Sequence, residues 1–193
     1  AHIHGNLVAG FTSPDGWTGY GIFVFNAVSS GIVIAGNLVG TNLAGLAAIP
    51  NDDGVAIHNS AGITVGGSSA VDRNILSGNA GSGLSVYKSN QVSVKGNYAG
   101  LAADGMTALG NANVGLGYTL STNIQIGGQT PGEANVAVAN GGNGISAGGE
   151  SSSVIEGNYI GVLPDGTPMG NTSHGIGGNG STVGSGMRIG GTA

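Results

Sequence analysis

Few side chains in this sequence could take part in chemistry. Only 7% of the 193 residues are charged, and the chain contains nine Asp and Glu, four Lys and Arg, and four His. Two carboxylates adjoin at Asp52 and Asp53, and a histidine follows a serine at Ser173 and His174. A pair of carboxyl groups about 5 to 9.5 Å apart can cleave a glycosidic bond by acid and base catalysis. Whether such groups meet depends on the elements that carry them.

Two further sets contain residue types that bind metal ions. His2 and His4 are two residues apart, so on a strand they would point to the same side, but two ligands do not make a site. Asp15, Asp104 and Asp165 each precede a glycine, which is the ordinary signal of a tight turn. We therefore expect turns rather than calcium ligands, and the sequence predicts no metal site and no cofactor.

The chain repeats itself about every thirty residues. A glycine followed by an apolar strand opens each repeat, at Gly21, Gly54, Gly83, Gly115, Gly144 and Gly175, in steps of 33, 29, 32, 29 and 31 residues. The stretch GLSVYKSNQVSVKGNYAG at 83–100 shows the pattern most clearly. Leu84 and Val86, then Val92 and Val94, alternate with polar residues, which indicates two strands with one buried face each.

The repeat predicts two stacks of inward side chains, one from each strand. The first consists of Ile22, Val55, Leu84, Leu116, Ile145 and Ile176, and the second of Ile34, Val65, Val94, Ile126, Ile155 and Ile189. No segment has helical apolar spacing, and glycine, at 42 of 193 residues, is too frequent for stable helices. The sequence therefore predicts an all-β parallel β-helix, or β-solenoid, of about six rungs that form a single domain over 1–193.

An asparagine recurs three or four residues before each opening glycine from the second onward. These residues are Asn51, Asn79, Asn111, Asn140 and Asn171. Parallel strands stack at about 4.8 Å, a spacing at which amide side chains on successive rungs can hydrogen-bond to one another. We therefore predict a structural ladder in which each rung donates to the next, rather than a ligand-binding role for these residues.

Three segments resemble a known family. SVIEGNYIGVLPDGTPMGN, VSVKGNYAGLAADGMTALGN and IVIAGNLVGTNLAGLAAIPN resemble the GNYIGT-type repeats of bacterial secreted and cell-surface proteins, which belong to the right-handed β-helix, pectate-lyase-like superfamily. The resemblance covers nearly the whole chain and implies a right-handed parallel β-helix and an extracellular or cell-surface location. It does not specify an activity, because one fold hosts many functions.

The repeat register argues against catalysis. Hydrolases of the resembled superfamily combine close aspartates with a His-Gly and an Arg-Ile-Lys, and this chain has only the fragments Asp52-Asp53, His174-Gly175 and Arg188-Ile189. Asp53 and His174 occupy the same repeat position four rungs apart, or about 19 Å at ~4.8 Å per rung. We therefore expect Asp52 and Asp53 to be a solvated loop pair, and the chain not to be an enzyme.

Charge and hydropathy restrict the partners. The net charge is −5, and the basic residues Arg73, Lys88, Lys95 and Arg188 are scattered, so no nucleic-acid surface is predicted. No apolar run is long enough to span a membrane. The outward positions of the second strand contain no row of Thr or aromatic residues, which a flat sugar-binding or ice-binding face would need; they are His4, Ala35, Gly66, Lys95, Gly127, Glu156 and Gly190.

Five of the nine aromatic residues fall within 11–25, and they are Phe11, Trp17, Tyr20, Phe23 and Phe25. Since Ile22 and Val24 face inward, Phe23 and Phe25 face outward, and exposed aromatic patches commonly mark an interface. The sequence also begins and ends in the middle of a rung, as a piece of a longer array would. We expect self-association through these residues or contact with neighbouring repeats, with a filament as one outcome.

These observations favour a non-enzymatic structural or adhesive module of an extracellular or cell-surface protein. Two alternatives stay open. The chain could be a carbohydrate-active β-helix related to polysaccharide lyases or hydrolases, or it could be a module that binds a glycan without cleaving it.

Overall fold

The computed structural model describes residues 1–14, 19–28, 31–178 and 186–190. These residues form a parallel β-solenoid of about six turns, which confirms the predicted fold class. Helix within the described residues is limited to two 3-10 turns, Ala70–Asp72 and Pro131–Glu133. None of the described segments forms a helix with the length and apolar character needed to cross a bilayer.

Each full turn of the solenoid contributes three short strands. In chain order the strands are β1 (His2–His4), β2 (Leu7–Val8), β3 (Ile22–Phe25), β4 (Ile32–Ala35), β5 (Leu38–Val39), β6 (Val55–His58), β7 (Ala61–Gly66), β8 (Ile75–Leu76), β9 (Leu84–Tyr87), β10 (Asn90–Lys95), β11 (Tyr98–Ala99), β12 (Leu116–Thr122), β13 (Gln125–Gly127), β14 (Val136–Ala137), β15 (Ile145–Ser151), β16 (Val154–Glu156), β17 (Tyr159–Ile160), β18 (Ile176–Gly178) and β19 (Arg188–Ile189).

Parallel pairing between turns arranges the strands in three columns. Column A contains β3, β6, β9, β12, β15 and β18, and column B contains β1, β4, β7, β10, β13, β16 and β19. The two columns join in one 13-stranded sheet, because β10 pairs with β12 as well as with its own column. Column C is a six-stranded sheet of β2, β5, β8, β11, β14 and β17. The sequence pattern identified columns A and B but not the two-residue strands of column C.

Both predicted inward stacks are present in the predicted register. Ile22 pairs with Val55, and the stack continues through each turn of column A to Ile176. Val94 lies midway along the column B stack and is fully buried, while Ile189 at the last described turn is 55% exposed. Burial of these branched side chains, at about 25 cal/mol per Å² of apolar surface, is the main stabilising contribution of the core.

The predicted asparagine ladder lies between columns C and A. The side-chain amide nitrogen of each member donates to the Oδ1 of the next, at 2.9 to 3.0 Å, from Asn51 through Asn79, Asn111 and Asn140 to Asn171. The backbone N–H groups of Asn79, Asn111 and Asn140 donate to the same acceptors. Each rung therefore donates to the next, as expected, and the ladder pairs buried polar groups that would otherwise lack partners.

A second asparagine ladder, which we did not predict, lies between columns B and C. Each member either follows a glycine or ends a short loop. The members are Asn6, Asn37, Asn74, Asn97, Asn135 and Asn158. Their amides donate in the same direction as those of the first ladder, at 2.8 to 3.0 Å. Four of the six members are visible in the sequence as recurring Gly-Asn pairs, whereas Asn74 and Asn135 follow Arg73 and Ala134 and have no such signal.

Serine side chains hold the third corner, between columns A and B. The hydroxyls of Ser60, Ser89 and Ser121 each accept the backbone N–H of the residue one turn earlier. Each also donates to a carbonyl two residues before it, so the serine closes the corner locally as well as between turns. Polar side chains therefore fix the register of successive turns at all three corners.

Candidate functional site

A groove of about 700 Å³ lies along the outer surface of column A. Its floor is formed by small outward residues at the second position of successive strands, namely Ser85, Gly117 and Ser146, which pair in register. Because these floor residues have small side chains or none, an open channel remains between the larger side chains on either side. A cavity of this size is in the range of sites that take a small ligand or part of a chain.

One wall of the groove comes from the fourth residues of the column A strands. His58, Tyr87 and Thr119 are in register on successive turns, and Phe25 precedes them on the first. The rings of His58 and Tyr87 make an edge contact with centroids 5.6 Å apart. The solenoid itself creates this row, because residues about thirty positions apart in sequence are brought to neighbouring strands.

Aromatic rings continue beyond the end of the groove. Tyr20 packs against Phe23 at 4.8 Å between centroids, and Phe23 stacks on Phe25 at 5.6 Å. His58 contacts both Tyr20 and Phe23, at 5.7 and 5.2 Å. We call Tyr20, Phe23, Phe25, His58 and Tyr87 the aromatic cluster. Phe23 and Phe25 are 48% and 55% exposed, which confirms that they face outward.

Asp52 anchors the loop that leads to Tyr20. Its Oδ2 accepts the backbone N–H groups of Ser13 and Gly19, at 2.9 and 2.8 Å, and the Ser13 hydroxyl, at 2.6 Å. The expectation that Asp52 is a solvated loop residue is therefore wrong, since its carboxylate is hydrogen-bonded to Ser13 and Gly19 and the residue is buried. The role that the contacts support is to hold one end of the groove in place.

Asp53 and His58 place titratable groups in the same groove. The Oδ1 of Asp53 accepts the backbone N–H of Ser82 at 2.6 Å. Burial raises the pKa of Asp53, and the charge of Asp52 raises it further, while the hydrogen bond from Ser82 and the charge of His58 oppose this. Burial lowers the pKa of His58, against the opposing effect of Asp53. His58 is therefore mainly neutral at pH 7, and its ring is available for stacking.

The predicted separation of Asp53 from His174 is confirmed. The backbone N–H of each opening glycine donates to the carbonyl of the residue before the next opening glycine, and the successive acceptors after Asp53-Gly54 are Ser82, Val114, Asn143 and His174. The two side chains are thus four turns apart. His174 hydrogen-bonds to Ser173 at 2.8 Å, and Arg188 pairs with Glu156 at 3.0 Å, so neither is directed at the groove carboxylates.

The other sites considered from the sequence lie away from the groove. Asp104 and Asp165 accept backbone N–H groups two residues later in exposed turns, as predicted, whereas Asp15 lies outside the described residues. His2 and His4 face outward from β1. Over the part of the chain that the structure describes, no three His, Asp or Glu side chains come together in a group that could hold a metal ion.

The predicted interface residues divide into two groups. Tyr20, Phe23 and Phe25 belong to the aromatic cluster, while the 54% exposed Phe11 does not line the groove. Trp17 lies outside the described residues. His58 and Tyr87 were missed, because we searched the outward positions of the second strand for a row and not those of the first. The signal was in the sequence, at the fourth residue of each opening strand.

Comparison with protein-family models, with curated proteins and with solved structures finds no match to this chain. The architecture stands on the strand pairing, and any function must be inferred from the groove and its residues.

Proposed function

We propose that this chain is an adhesive module of an extracellular or cell-surface protein, and that it binds an extended carbohydrate chain in the groove of column A without cleaving it. The row of His58 and Tyr87 with Tyr20, beside a groove of about 700 Å³, is the observation that supports this proposal. Aromatic rings offer flat apolar faces with polar edges, which suits the apolar faces and hydroxyl groups of sugars. The groove runs across successive turns, so its length suits an extended chain.

The arrangement of the carboxylates favours binding over cleavage. Glycoside hydrolysis needs two carboxyl groups on opposite sides of one bond. Asp52 and Asp53 are adjacent in sequence, and Oδ2 of Asp52 accepts three hydrogen bonds that hold the loop before Tyr20. Asp52 therefore has a structural task, which leaves Asp53 as the carboxylate that faces a ligand.

Binding is tested by titrating a panel of soluble oligosaccharides in a calorimeter. Tyr87→Ala should weaken binding at least tenfold, because an aromatic platform in the groove is lost. Phe11→Ala is the matched control, since Phe11 is an exposed ring outside the groove, and this variant should bind like the parent. If no oligosaccharide binds, or if both variants bind like the parent, the proposal is refuted.

The same mixtures test the enzymatic alternative. After prolonged incubation the proposal requires no new reducing ends and no absorbance from unsaturated uronates near 235 nm. Product formation that is lost in Asp53→Asn would replace the binding module with a carbohydrate-active enzyme.

Self-association is a second candidate function, favoured by the exposure of Phe23 and Phe25. These two rings stack on each other next to the groove, and contiguous exposed apolar surface commonly marks a protein interface. If copies associate there, light scattering should show a mass that rises with concentration, and Phe23→Ser with Phe25→Ser should give a monomer. A parent that is monomeric at high concentration would eliminate this candidate and leave glycan binding untouched.

A further inference from the structure

Among the residues that the structure describes, no lysine or arginine is part of the set of titratable side chains that line the groove. They are Tyr20, Asp52, Asp53, His58, Tyr87 and Tyr118. Three of the four basic residues of the chain are engaged elsewhere: Arg73 stacks over Tyr98, and Lys95 and Arg188 pair with Glu133 and Glu156. Lys88 is the basic residue nearest the groove, and its ammonium lies 5.1 Å from the centroid of the Tyr87 ring.

Asp53 is the carboxylate that this arrangement leaves without a cation. Its hydrogen bond comes from the neutral N–H of Ser82, and among the described residues no basic side chain forms an ion pair with it. The largely neutral His58 supplies little compensating charge. A partly buried negative charge of this kind is stabilised when a cation arrives, and it repels an anion.

The aromatic rings of the groove, like Asp53, favour a cation over an anion. The face of a tyrosine ring is negative, and it attracts an ammonium group within about 6 Å of its centroid. Tyr20 and Tyr87 both line the groove with Asp53. A ligand with sugar rings and positive charges therefore meets complementary groups at Asp53 and Tyr20 and shares the Tyr87 ring with the Lys88 ammonium, whereas a polyuronate would bring carboxylates to Asp52 and Asp53.

We infer that the groove selects glycans with free amino groups, such as chains of deacetylated hexosamine, in which an ammonium pairs with Asp53 while the sugar faces stack on Tyr20 and Tyr87. This inference rests on the proposed function, since it assumes that the groove binds carbohydrate, and it adds the charge class of the ligand. Polyuronates are the class that the groove rejects.

Three hexasaccharides of matched length test the inference by calorimetry at pH 7, where His58 is mainly neutral. A glucosamine hexamer carries ammonium groups, an N-acetylglucosamine hexamer is neutral and a galacturonate hexamer is anionic. Hydrogen bonds to charged groups contribute more than neutral ones, so we expect the glucosamine hexamer to bind about tenfold to a hundredfold more tightly than the neutral one. The galacturonate hexamer should bind most weakly.

Two variants assign the preference to Asp53. Asp53→Asn keeps an oxygen that can accept the Ser82 N–H but removes the charge, and it should reduce binding of the glucosamine hexamer to within about twofold of the neutral hexamer. Asp104→Asn removes an equal charge from an exposed turn outside the groove and should leave the preference intact.

The outcomes separate the two proposals. If the neutral hexamer binds as tightly as the glucosamine hexamer, and Tyr87→Ala weakens both, then the groove binds sugar and the charge preference is wrong. If no hexamer binds, the proposed carbohydrate binding itself is refuted. Oligolysine serves as a probe with charge but no sugar rings, and binding as tight as that of the glucosamine hexamer would overturn the assignment to a glycan in favour of a basic peptide.

Discussion

Asn111 is the member of the predicted ladder whose removal should destabilise the protein most clearly. Its side chain is 1% exposed and makes four hydrogen bonds. Nδ2 donates to Oδ1 of Asn140 and to the carbonyl of Leu76, and Oδ1 accepts both the backbone N–H and the amide of Asn79. Replacement by alanine therefore affects two turns at once.

The size of the effect follows from the groups that lose their only partner. In Asn111→Ala the backbone N–H of Asn79 and one of its amide hydrogens have no acceptor, and Asn79 is itself buried. Oδ1 of Asn140 still accepts the backbone N–H of residue 111, so it remains paired. Each buried donor left unsatisfied costs about 1 to 3 kcal/mol, which gives a loss of about 2 to 6 kcal/mol. This is a large share of the usual stability of ~5 to 15 kcal/mol.

Asn171→Ala is the matched control at the last described member of the ladder. It removes the same kind of acceptor from Asn140, but Asn171 is only half-buried, so water can take the place of its oxygen. We expect a loss of about 1 kcal/mol. Urea unfolding followed by circular dichroism measures both variants, with unchanged slopes and a lower midpoint for Asn111→Ala. Equal midpoints for the parent and both variants would refute the ladder as a source of stability.

Three further changes test other parts of the structure. Val94→Asp places a charge without a partner in the centre of the column B stack and should prevent folding, so a soluble variant with native circular dichroism would contradict the core assignment. Asn97→Ala in the second ladder should cost about 2 to 6 kcal/mol by urea unfolding, because the amide and backbone N–H of the buried Asn74 lose their acceptor, and a parent-like midpoint would contradict this role. Asp53→Asn should raise the melting temperature at pH 7. Because the pKa of Asp53 is raised, its protonated carboxyl stabilises the fold below pH 3.8, the ordinary value, and this stability is lost as the pH rises through the folded-state pKa. The uncharged asparagine does not lose it. The gain in melting temperature should therefore shrink as the pH approaches 3.8. A gain in melting temperature that grows toward acid pH would contradict the raised pKa of Asp53.

The repeat made the core of this fold predictable. A period of two within each strand and of about thirty between strands determines both the inward face and the partner of each residue, so Ile22, Val55 and Val94 could be placed without a structure. Column C could not be predicted in the same way. Its strands are two residues long, such as Leu7–Val8, and two residues are too few to show a period. Pairing between turns creates the strands of column C, and local strand propensity does not.

The groove was less predictable than the core, for a different physical reason. Outward positions carry no shared apolar pattern, so a row such as His58, Tyr87 and Thr119 emerges only when a particular column is aligned turn by turn. Asp52 shows a second limit. Its carboxylate accepts three hydrogen bonds from Ser13 and Gly19 of the preceding turn, and these contacts have no local signature in the sequence.

The corner ladders explain how a chain with so few charged residues can hold an outer groove of defined shape. Asparagine and serine side chains fix each turn against the next, so an outward residue is positioned by the register of its turn and not by its own contacts. A binding row then needs only one suitable side chain per turn, and here the aromatic row reaches from Phe25 through His58 to Tyr87 before Thr119 ends it. Because the core residues of the same strands point the opposite way, the row can change without disturbing the fold. The position of the groove on column A, from β6 to β15, is therefore a property of a few outward residues on a framework that the repeat maintains.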